Sequence, residues 1–336
     1  MKPVVCFHQN QQLIYSDDYL VKSTFYNVTH FLENIENEYF EKMKIVQIDF
    51  EATGATVFIL NTYRLISPSD IESNEKINPV FKPAISKKLF SEKVLQIKND
   101  IAAGRYYQVN FTSSFKSEIA EDSFLVFQKY LSVFKSEYSA FLPMQEFEIL
   151  CYSPELFLEK TDALICTRPI KGTLTTSLNQ LIASPKETAE LSMIVDLLRN
   201  DLNSICEKPV TVTKHREILN LGYTQHTYSE ICGQTNLHLP EILNTTFPGG
   251  SISGCPKSES LLAISEIENL PRGFYTGTIG WWKNNDFKLN IAIRSFKKEN
   301  TDISYYAGCG IVYDSEPEFE WQEFLTKAGK LTIHHD

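Results

Sequence analysis

Segments with the pattern of β-strands outnumber clean alternations of strand and helix along this chain. Strand patterns occur at 147–153, 163–169, 287–296 and 302–314, and helix patterns at 86–104, 123–134 and 187–206. The last two strand patterns flank the polar turn KKENTD, as expected for a β-hairpin. These features favour a mixed or antiparallel α+β fold over a doubly wound parallel sheet.

The first 85 residues differ in pattern from the rest of the chain. Short β-like runs surround a polar helical segment at 29–43, and the polar stretch 67–79 marks a plausible subdomain boundary. We therefore divide the chain into an N-terminal part, 1–85, and a main part, 86–336. We expect the two to form one integrated domain.

Composition excludes several classes of protein. The 336 residues are 43% hydrophobic and 22% charged, which is typical of a globular protein. The net charge of −10 leaves no basic surface for nucleic acid, and no run approaches the ~18 apolar residues that span a membrane. The seven cysteines are odd in number and form no C-x-x-C pair, so we expect reduced thiols, no zinc site and a cytoplasmic location.

The segment PKETAELSMIVDLLRND predicts a helix that places carboxylates on its apolar face. At 3.6 residues per turn one sector holds Glu187, Glu190, Ile194, Leu197, Leu198 and Asp201. A carboxylate in such a position needs a cation or hydrogen bonds, because desolvating it alone costs several kcal/mol. A rim salt bridge, for example to Arg199 or to another helix, is the simpler interpretation.

The last helical pattern, 317–331, places Glu320, Glu323 and Lys327 opposite its apolar side. Glu323 and Lys327 are four residues apart, which most often means an exposed ion pair. Carboxylates from two separate helices are also what Mg2+ requires, since it binds one or two carboxylates, several waters and an anionic substrate.

Lys171, in RPIKGT, follows a β-like run, and Glu155, in SPELF, begins the neighbouring one. A lysine amine at a strand end can act as a nucleophile, and the glutamate is a plausible acid–base partner. A surface lysine is the simpler interpretation. Two other motifs are unpromising: FPGGSISGCPKS lacks the lysine placement of a P-loop, and Cys309 in AGCGI lacks the outer glycines of a nucleophile elbow.

Taken together, the segments resemble the chorismate-utilising enzymes, the family of anthranilate, aminodeoxychorismate, isochorismate and salicylate synthases. The resemblance runs in order from about 87 to 332 and is carried by YYQVNFTSSF, SPELFLEK, RPIKGT, AELSMIVDLLRNDL, FPGGSISGCPKSESLLAISEIE, RGFYTGTIGW, LNIAIRSF and AGCGIVYDSEPEFEWQEFLTKA. It implies a large α+β sandwich of mostly antiparallel sheets flanked by helices.

The resemblance also implies a role for each matching residue. Glu190 and Glu323 would bind Mg2+, with Glu187 and Glu320 supporting, and Lys327 would contact the ring carboxylate of chorismate. Arg294, Tyr275 and the backbone of Gly310 resemble the cradle of the enolpyruvyl carboxylate. Ser251 and the catalytic residue His226 match positions near the ring, as does the loop that continues to Lys257.

Two positions bear on the reaction. Gln108 stands where the family's water-using members carry a lysine base. Lys171 resembles the lysine associated with aminodeoxychorismate synthase, where anthranilate synthases typically have alanine. The implied reaction is amination of chorismate at C4, with Lys171 as nucleophile and Glu155 as acid, giving the precursor of 4-aminobenzoate and folate.

No glutaminase motif is visible, so the resemblance implies ammonia from a separate glutamine amidotransferase subunit. The N-terminal part shows no clear tryptophan-binding segment. Anthranilate synthase component I is the alternative activity. A non-catalytic chorismate-binding subunit is disfavoured, because Glu155, Glu190 and Glu323 are all present.

Overall fold

The computed structural model of the protein describes residues 2–174, 185–220, 225–329 and 331–333, and of 172–174, 185–190, 220 and 225 the backbone alone. The helices in this part of the chain are α1 (Val28–Tyr39), α2 (Lys87–Ala102), α3 (Ser123–Phe134), α4 (Pro185–Asn203), α5 (Leu239–Thr246), α6 (Gly250–Ser253), α7 (Lys257–Glu268) and α8 (Pro317–Lys327), with a 3-10 turn at Pro68–Asp70. The predicted helices correspond to α1, α2, α3, α4 and α8, with small differences at their ends.

The described strands form two large sheets. They are β1 (Val4–Phe7), β2 (Leu13–Ser16), β3 (Tyr19–Thr24), β4 (Lys44–Ile48), β5 (Ala55–Leu60), β6 (Arg64–Ile66), β7 (Val80–Pro83), β8 (Gln108–Glu118), β9 (Tyr138–Pro143), β10 (Glu148–Ser153), β11 (Leu156–Thr161), β12 (Leu164–Arg168), β13 (Ile170–Leu174), β14 (Thr211–Asn220), β15 (Gln225–Gln234), β16 (Gly254–Cys255), β17 (Thr278–Lys283), β18 (Asp286–Ile291), β19 (Ser295–Glu299), β20 (Asp302–Val312) and β21 (Thr332–Ile333).

The first sheet has the order β21-β7-β8-β20-β19-β10-β9-β1-β2-β6, with β16 paired to β8. The second has the order β13-β15-β12-β11-β18-β17-β4-β5-β3, with β14 paired to β15. Among the described pairs, only β7 with β21 is parallel. The prediction of an α+β fold with mostly antiparallel sheets is confirmed.

Strands β8 and β20 pair along their whole length within the first sheet. The pairing runs without a break from Asp302 opposite Glu118 to Val312 opposite Gln108. Alternate residues of β20, from Ile303 to Ile311, are buried, because successive side chains of a strand point to opposite faces. The other residues of β20 lie on the same face of the sheet as the polar side chains of β8.

Residues 287–296, predicted as one strand, are two strands in different sheets. β18 ends at Ile291 in the second sheet and β19 begins at Ser295 in the first. Between them Arg294 has a φ of 50°, a left-handed conformation that is uncommon for a residue other than glycine. The predicted hairpin of β19 and β20 is confirmed, but the apolar pattern could not locate the crossing, because it continues across the break.

Aromatic side chains fix helix α8 against the first sheet. Phe324 of α8 stacks on Phe115 of β8 with 4.5 Å between ring centroids, and Phe90 of α2 lies 5.3 Å from both Phe324 and Trp321. Offset and edge-on aromatic pairs contribute about 0.5–1.5 kcal/mol each beyond the area they bury. The carboxylates of α8 are therefore presented from a rigid support.

One expectation about the cysteines is wrong. Cys166 of β12 and Cys232 of β15 face each other across neighbouring strands, and their sulfur atoms are bonded at 2.06 Å. Five cysteines are free thiols, as expected. The two bonded residues are 66 positions apart in sequence, so only the strand pairing brings them together.

Candidate active site

A cavity of about 410 Å³ lies beside the β8–β20 pair and is open at one side. It brings together side chains from distant parts of the chain. Of the residues predicted for the site, those that line it are Glu155, Lys171, Ser251, His226, Tyr275, Arg294, Gly310, Glu320, Glu323 and Lys327.

Glu155 lies between β10 and β11 and is only 5% exposed. Burial raises the pKa of its carboxyl from 4.5 to about 7, although a hydrogen bond from Ser251, the charge of Lys171 and the backbone N–H of Ile170 act in the opposite direction. A carboxyl with this pKa still holds a proton near neutral pH. It therefore has the property required of a general acid.

Lys171 and His226 belong to the paired strands β13 and β15. Lys171 is opposite Thr227, whose hydroxyl donates to the Lys171 carbonyl at 3.2 Å. The neighbouring His226 is buried, and its Nε2 lies 3.1 Å from Nη2 of Arg294. Since a guanidinium can only donate, the hydrogen-bond network assigns Nε2 of His226 as the acceptor.

Two stacked tyrosines and Gly310 complete this part of the cavity. Tyr275 is buried and stacks on Tyr306 at 5.1 Å, and burial raises the pKa of Tyr275 well above its usual range, so its hydroxyl keeps its proton. A Cβ at Gly310 would lie 2.8 Å from the amide nitrogen of Gln108. A side chain at position 310 would therefore displace the Gln108 amide.

Gln108 is 1% exposed and does not line the cavity. Among the described residues neither atom of its amide has a hydrogen-bond partner. Buried amides are nearly always paired, so the Gln108 amide departs from the usual pattern. Lys257 also lies outside the cavity wall, because its amine binds Asp201 at 2.8 Å and the Thr246 carbonyl at 3.1 Å.

The opposite wall is formed by helix α8. Glu320 is buried and accepts a hydrogen bond from the Ser315 hydroxyl at 2.7 Å, whereas the side chain of Glu323 is half exposed and forms the predicted ion pair with Lys327 at 2.8 Å. The amine of Lys327 also donates to the Gly308 carbonyl. Burial disfavours its charge, but the pKa of Lys327 is raised because Glu323 outweighs that effect.

These carboxylates suit a hard cation. Ligand atoms of Cys309, Glu320 and Glu323 all lie within 4.8 Å of one another. Burial raises the pKa of the Cys309 thiol well above its usual range, and the thiol donates to the Glu320 carbonyl at 3.5 Å, so the carboxylates are the anionic groups of this cluster. Two carboxylates without a thiolate fit Mg2+, which prefers oxygen.

Glu187 and Glu190 lie on the first turns of α4, and their side chains fall outside the described residues. The rest of the predicted face is as expected: Ile194 and Leu198 are buried, and Leu197 packs closely on Gly250. Asp201 pairs with Lys257 rather than with a residue of its own helix. Helix α4 therefore lies against β15 and β13 and touches α6, and the Asp201–Lys257 pair joins it to α7.

Several cavity residues were not predicted from the sequence, among them Asn110, Thr112, Thr276 and Tyr306. Asn110 and Thr112 share a face of β8 with Gln108, and the alternation in QVNFT was the available signal. No sequence pattern predicts Thr276 as a cavity residue. Its position depends on a left-handed backbone conformation, with a φ of 59°, that the sequence does not reveal.

Residues 7–332 match the chorismate binding enzyme family. The chain belongs to this family. It is 35% identical over 252 residues to aminodeoxychorismate synthase component 1 of Bacillus subtilis, covering 71% of this chain and 54% of that protein. It is 31% identical to anthranilate synthase component 1 of Lactococcus lactis, covering 81% and 62%. The chain thus spans less than two thirds of the length of these relatives.

Two solved structures share the fold. Anthranilate synthase component I from Streptococcus pneumoniae superposes with a TM-score of 0.84 at 24% identity, covering 97% of this chain and 93% of that one. The isochorismate synthase DhbC from Bacillus anthracis gives 0.84 at 20% identity, covering 98% and 94%. Among the described residues, no helix combines the length and apolar character needed to cross a membrane.

Proposed function

We propose that this protein aminates chorismate at C4 with ammonia and forms 4-amino-4-deoxychorismate, as an aminodeoxychorismate synthase component. The observation that carries the proposal is the presence of Lys171 in the same cavity as Glu155, a buried carboxyl whose pKa is raised to about 7. A nucleophilic amine and a protonated acid are the two groups that the substitution needs.

Chorismate carries two carboxylates, and the cavity offers cationic groups to each of them. Arg294, Tyr275 and the backbone of Gly310 are proposed to hold the enolpyruvyl carboxylate, and Lys327 to hold the ring carboxylate. Mg2+ would be held by Glu190 and Glu323, supported by Glu187 and Glu320. Bound there, the ion would act as a Lewis acid toward the ring carboxylate.

In the proposed mechanism the neutral amine of Lys171 attacks C2 of the ring and becomes an ammonium. Both ring double bonds shift, and Glu155 donates its proton to the C4 hydroxyl, which leaves as water. Ammonia then attacks C4, the two double bonds shift back, the C2–nitrogen bond breaks, and Lys171 leaves as the neutral amine. The proton lost by ammonia returns to Glu155. His226 orients Arg294 through their hydrogen bond, and Ser251 orients Glu155.

The nucleophile is proposed to be ammonia because Gln108 replaces the lysine base of the water-using relatives. An amide cannot take a proton from water, so Gln108 cannot activate a water molecule as that lysine would. We propose that a separate glutamine amidotransferase subunit supplies the ammonia. Free ammonium at high concentration is then expected to replace that subunit.

The test is to incubate the protein with chorismate, MgCl2 and an ammonium salt at mildly alkaline pH, with a chelator as control. Mass spectrometry should detect an amine that retains the enolpyruvyl group and forms only with the metal. Fluorescent anthranilate with released pyruvate would favour the alternative, to which the name of the Lactococcus relative also points. Unchanged chorismate at saturating ammonium would contradict both activities.

A further inference from the structure

Arg272 and Glu268 form a buried ion pair next to the cavity that the proposed mechanism does not use. Their side chains are 2% and 6% exposed, and the closest nitrogen and oxygen atoms are 2.7 Å apart. Neither residue lines the cavity. A buried ion pair adds little to stability by itself, because the desolvation cost offsets the attraction, so its presence needs another reason.

Every N–H of the Arg272 guanidinium has an acceptor. Nε and one N–H of Nη2 bind the two oxygens of Glu268 at 2.9 and 2.7 Å. The remaining donors reach the Asn110 carbonyl at 2.7 Å, the Ile252 carbonyl at 2.9 Å and the Thr276 hydroxyl at 3.3 Å. These acceptors belong to β8, α6 and the turn before β17, and all three residues line the cavity.

Glu268 extends the same arrangement. Its Oε1, which accepts from Nη2 of Arg272, also accepts the backbone N–H of Thr112 at 2.9 Å, and Thr112 is a fourth cavity residue. The backbone of Arg272 is held in turn by Glu51, whose carboxylate accepts the N–H groups of Arg272 and Gly273 at 2.7 and 3.1 Å. The guanidinium also lies 4.5 Å from the centroid of the Phe50 ring.

The network leads to the proposed acid. Asn110, fixed through its carbonyl by Arg272, donates from its side-chain amide to the Ser251 carbonyl at 2.9 Å. Ile252, also fixed by Arg272, is the next residue after Ser251. The Ser251 hydroxyl donates to Glu155. The position of Ser251 is therefore set on both sides by contacts that depend on Arg272.

We propose that the Arg272–Glu268 pair is a positioning device for the active site: it joins three cavity-lining segments and orients Ser251 toward Glu155 without touching the substrate. Lysine cannot replace Arg272, because its single ammonium cannot reach the carbonyls of two separate segments, the hydroxyl and both carboxylate oxygens together. The role of Glu155 as acid comes from the proposed function, and the joining of the segments does not depend on it.

The test compares Arg272→Lys and Glu268→Gln with Glu266→Gln. Glu266 is on the same helix but exposed, and it pairs with Arg105 at 3.2 Å. We expect kcat to fall tenfold to a hundredfold in the first two variants, since small misplacements of reacting groups have effects of this size. The control is expected to behave like the unaltered protein, and thermal unfolding identifies variants that do not fold.

The dependence of activity on pH distinguishes a positioning role of the Arg272–Glu268 pair from a purely structural one. If Ser251 is released from Glu155, the midpoint of the alkaline limb moves to higher pH. The other charged or titratable side chains that line the cavity are unchanged in these variants: Lys171, His226, Tyr275, Arg294, Tyr305, Tyr306, Glu320, Glu323 and Lys327. If Arg272→Lys does not fold, the test rests on Glu268→Gln alone. Glutamine keeps the shape of the glutamate side chain and an oxygen that accepts the N–H of Thr112.

Folded variants with unaltered kcat and an unaltered midpoint would overturn the proposal. A loss of the same size in Glu266→Gln would also overturn it. If the unaltered protein makes anthranilate, the proposed function fails, but the same comparison of rates is then made on that product. The two failures are therefore distinguishable.

Discussion

The carboxyl of Glu155 keeps its proton up to about pH 7 because burial raises its pKa to that value. A general acid acts in its protonated form, and that form is lost as the pH rises through the pKa. We therefore expect kcat/KM, measured at constant free ammonia, to fall as the pH rises through about 7. Keeping free ammonia constant matters because its concentration also changes with pH.

Ser251 gives this expectation a second test. Its hydrogen bond lowers the pKa of Glu155, so Ser251→Ala should move the alkaline limb to higher pH. Ser117→Ala is the control, because that hydroxyl donates to the Val80 carbonyl away from the cavity. An alkaline limb that stays in place in Ser251→Ala would show that Glu155 is not the group that titrates.

Lys171 is testable through the covalent step. Without ammonia, the proposed reaction stops after water leaves, with the ring bonded to the lysine. Intact-protein mass spectrometry should then detect the mass of chorismate less one water added to the protein, but not to Lys171→Ala. The control is Lys327→Ala, which keeps Lys171 and is expected to form the adduct at higher chorismate concentration. An adduct of equal amount in Lys171→Ala would exclude this nucleophile.

At the scale of the element, helix α8 carries two ion pairs that can be compared. Glu323 binds Lys327 at 2.8 Å, and Glu318 binds Lys87 at 2.7 Å. The exposed Glu318–Lys87 pair contributes about 0–1 kcal/mol, so Glu318→Gln should change stability little, whereas Glu323→Gln removes the carboxylate that compensates the more buried Lys327 amine and should cost more. We expect Glu323→Gln, but not Glu318→Gln, to raise the MgCl2 concentration for half-maximal activity about tenfold or more. Equal Mg2+ requirements would mean that Glu323 is only an ion-pair partner.

Periodicity predicted most elements, because helices and half-buried strands repeat their apolar positions with different periods. It did not predict the crossing at Arg294, since the apolar alternation continues from β18 into β19. The Cys166–Cys232 bond and the Arg272–Glu268 network depend on tertiary contacts between distant segments. The resemblance supplied the cavity residues that no local pattern could bring together.

At the scale of the whole molecule, the site lowers the stability of the fold. The net charge is −10, yet the cavity gathers Lys171, Arg294 and Lys327 for an anionic substrate. Its acid is held in a buried position that disfavours ionisation. Groups selected for chemistry in this way are often unfavourable for folding, so replacing one can stabilise a protein while removing its activity.

Glu155→Gln should therefore stabilise the protein in a pH-dependent way. The folded pKa is raised from 4.5 to about 7, so the unfolded chain releases this proton first and wild-type stability falls as the pH rises through that interval. Glutamine does not ionise, and its advantage should grow from near zero below pH 4.5 to about 3 kcal/mol above pH 7, since one pKa unit is ~1.4 kcal/mol. Urea unfolding across this range measures it, with the exposed Glu118→Gln as control. A difference that does not change with pH would mean that burial does not hold the proton on Glu155.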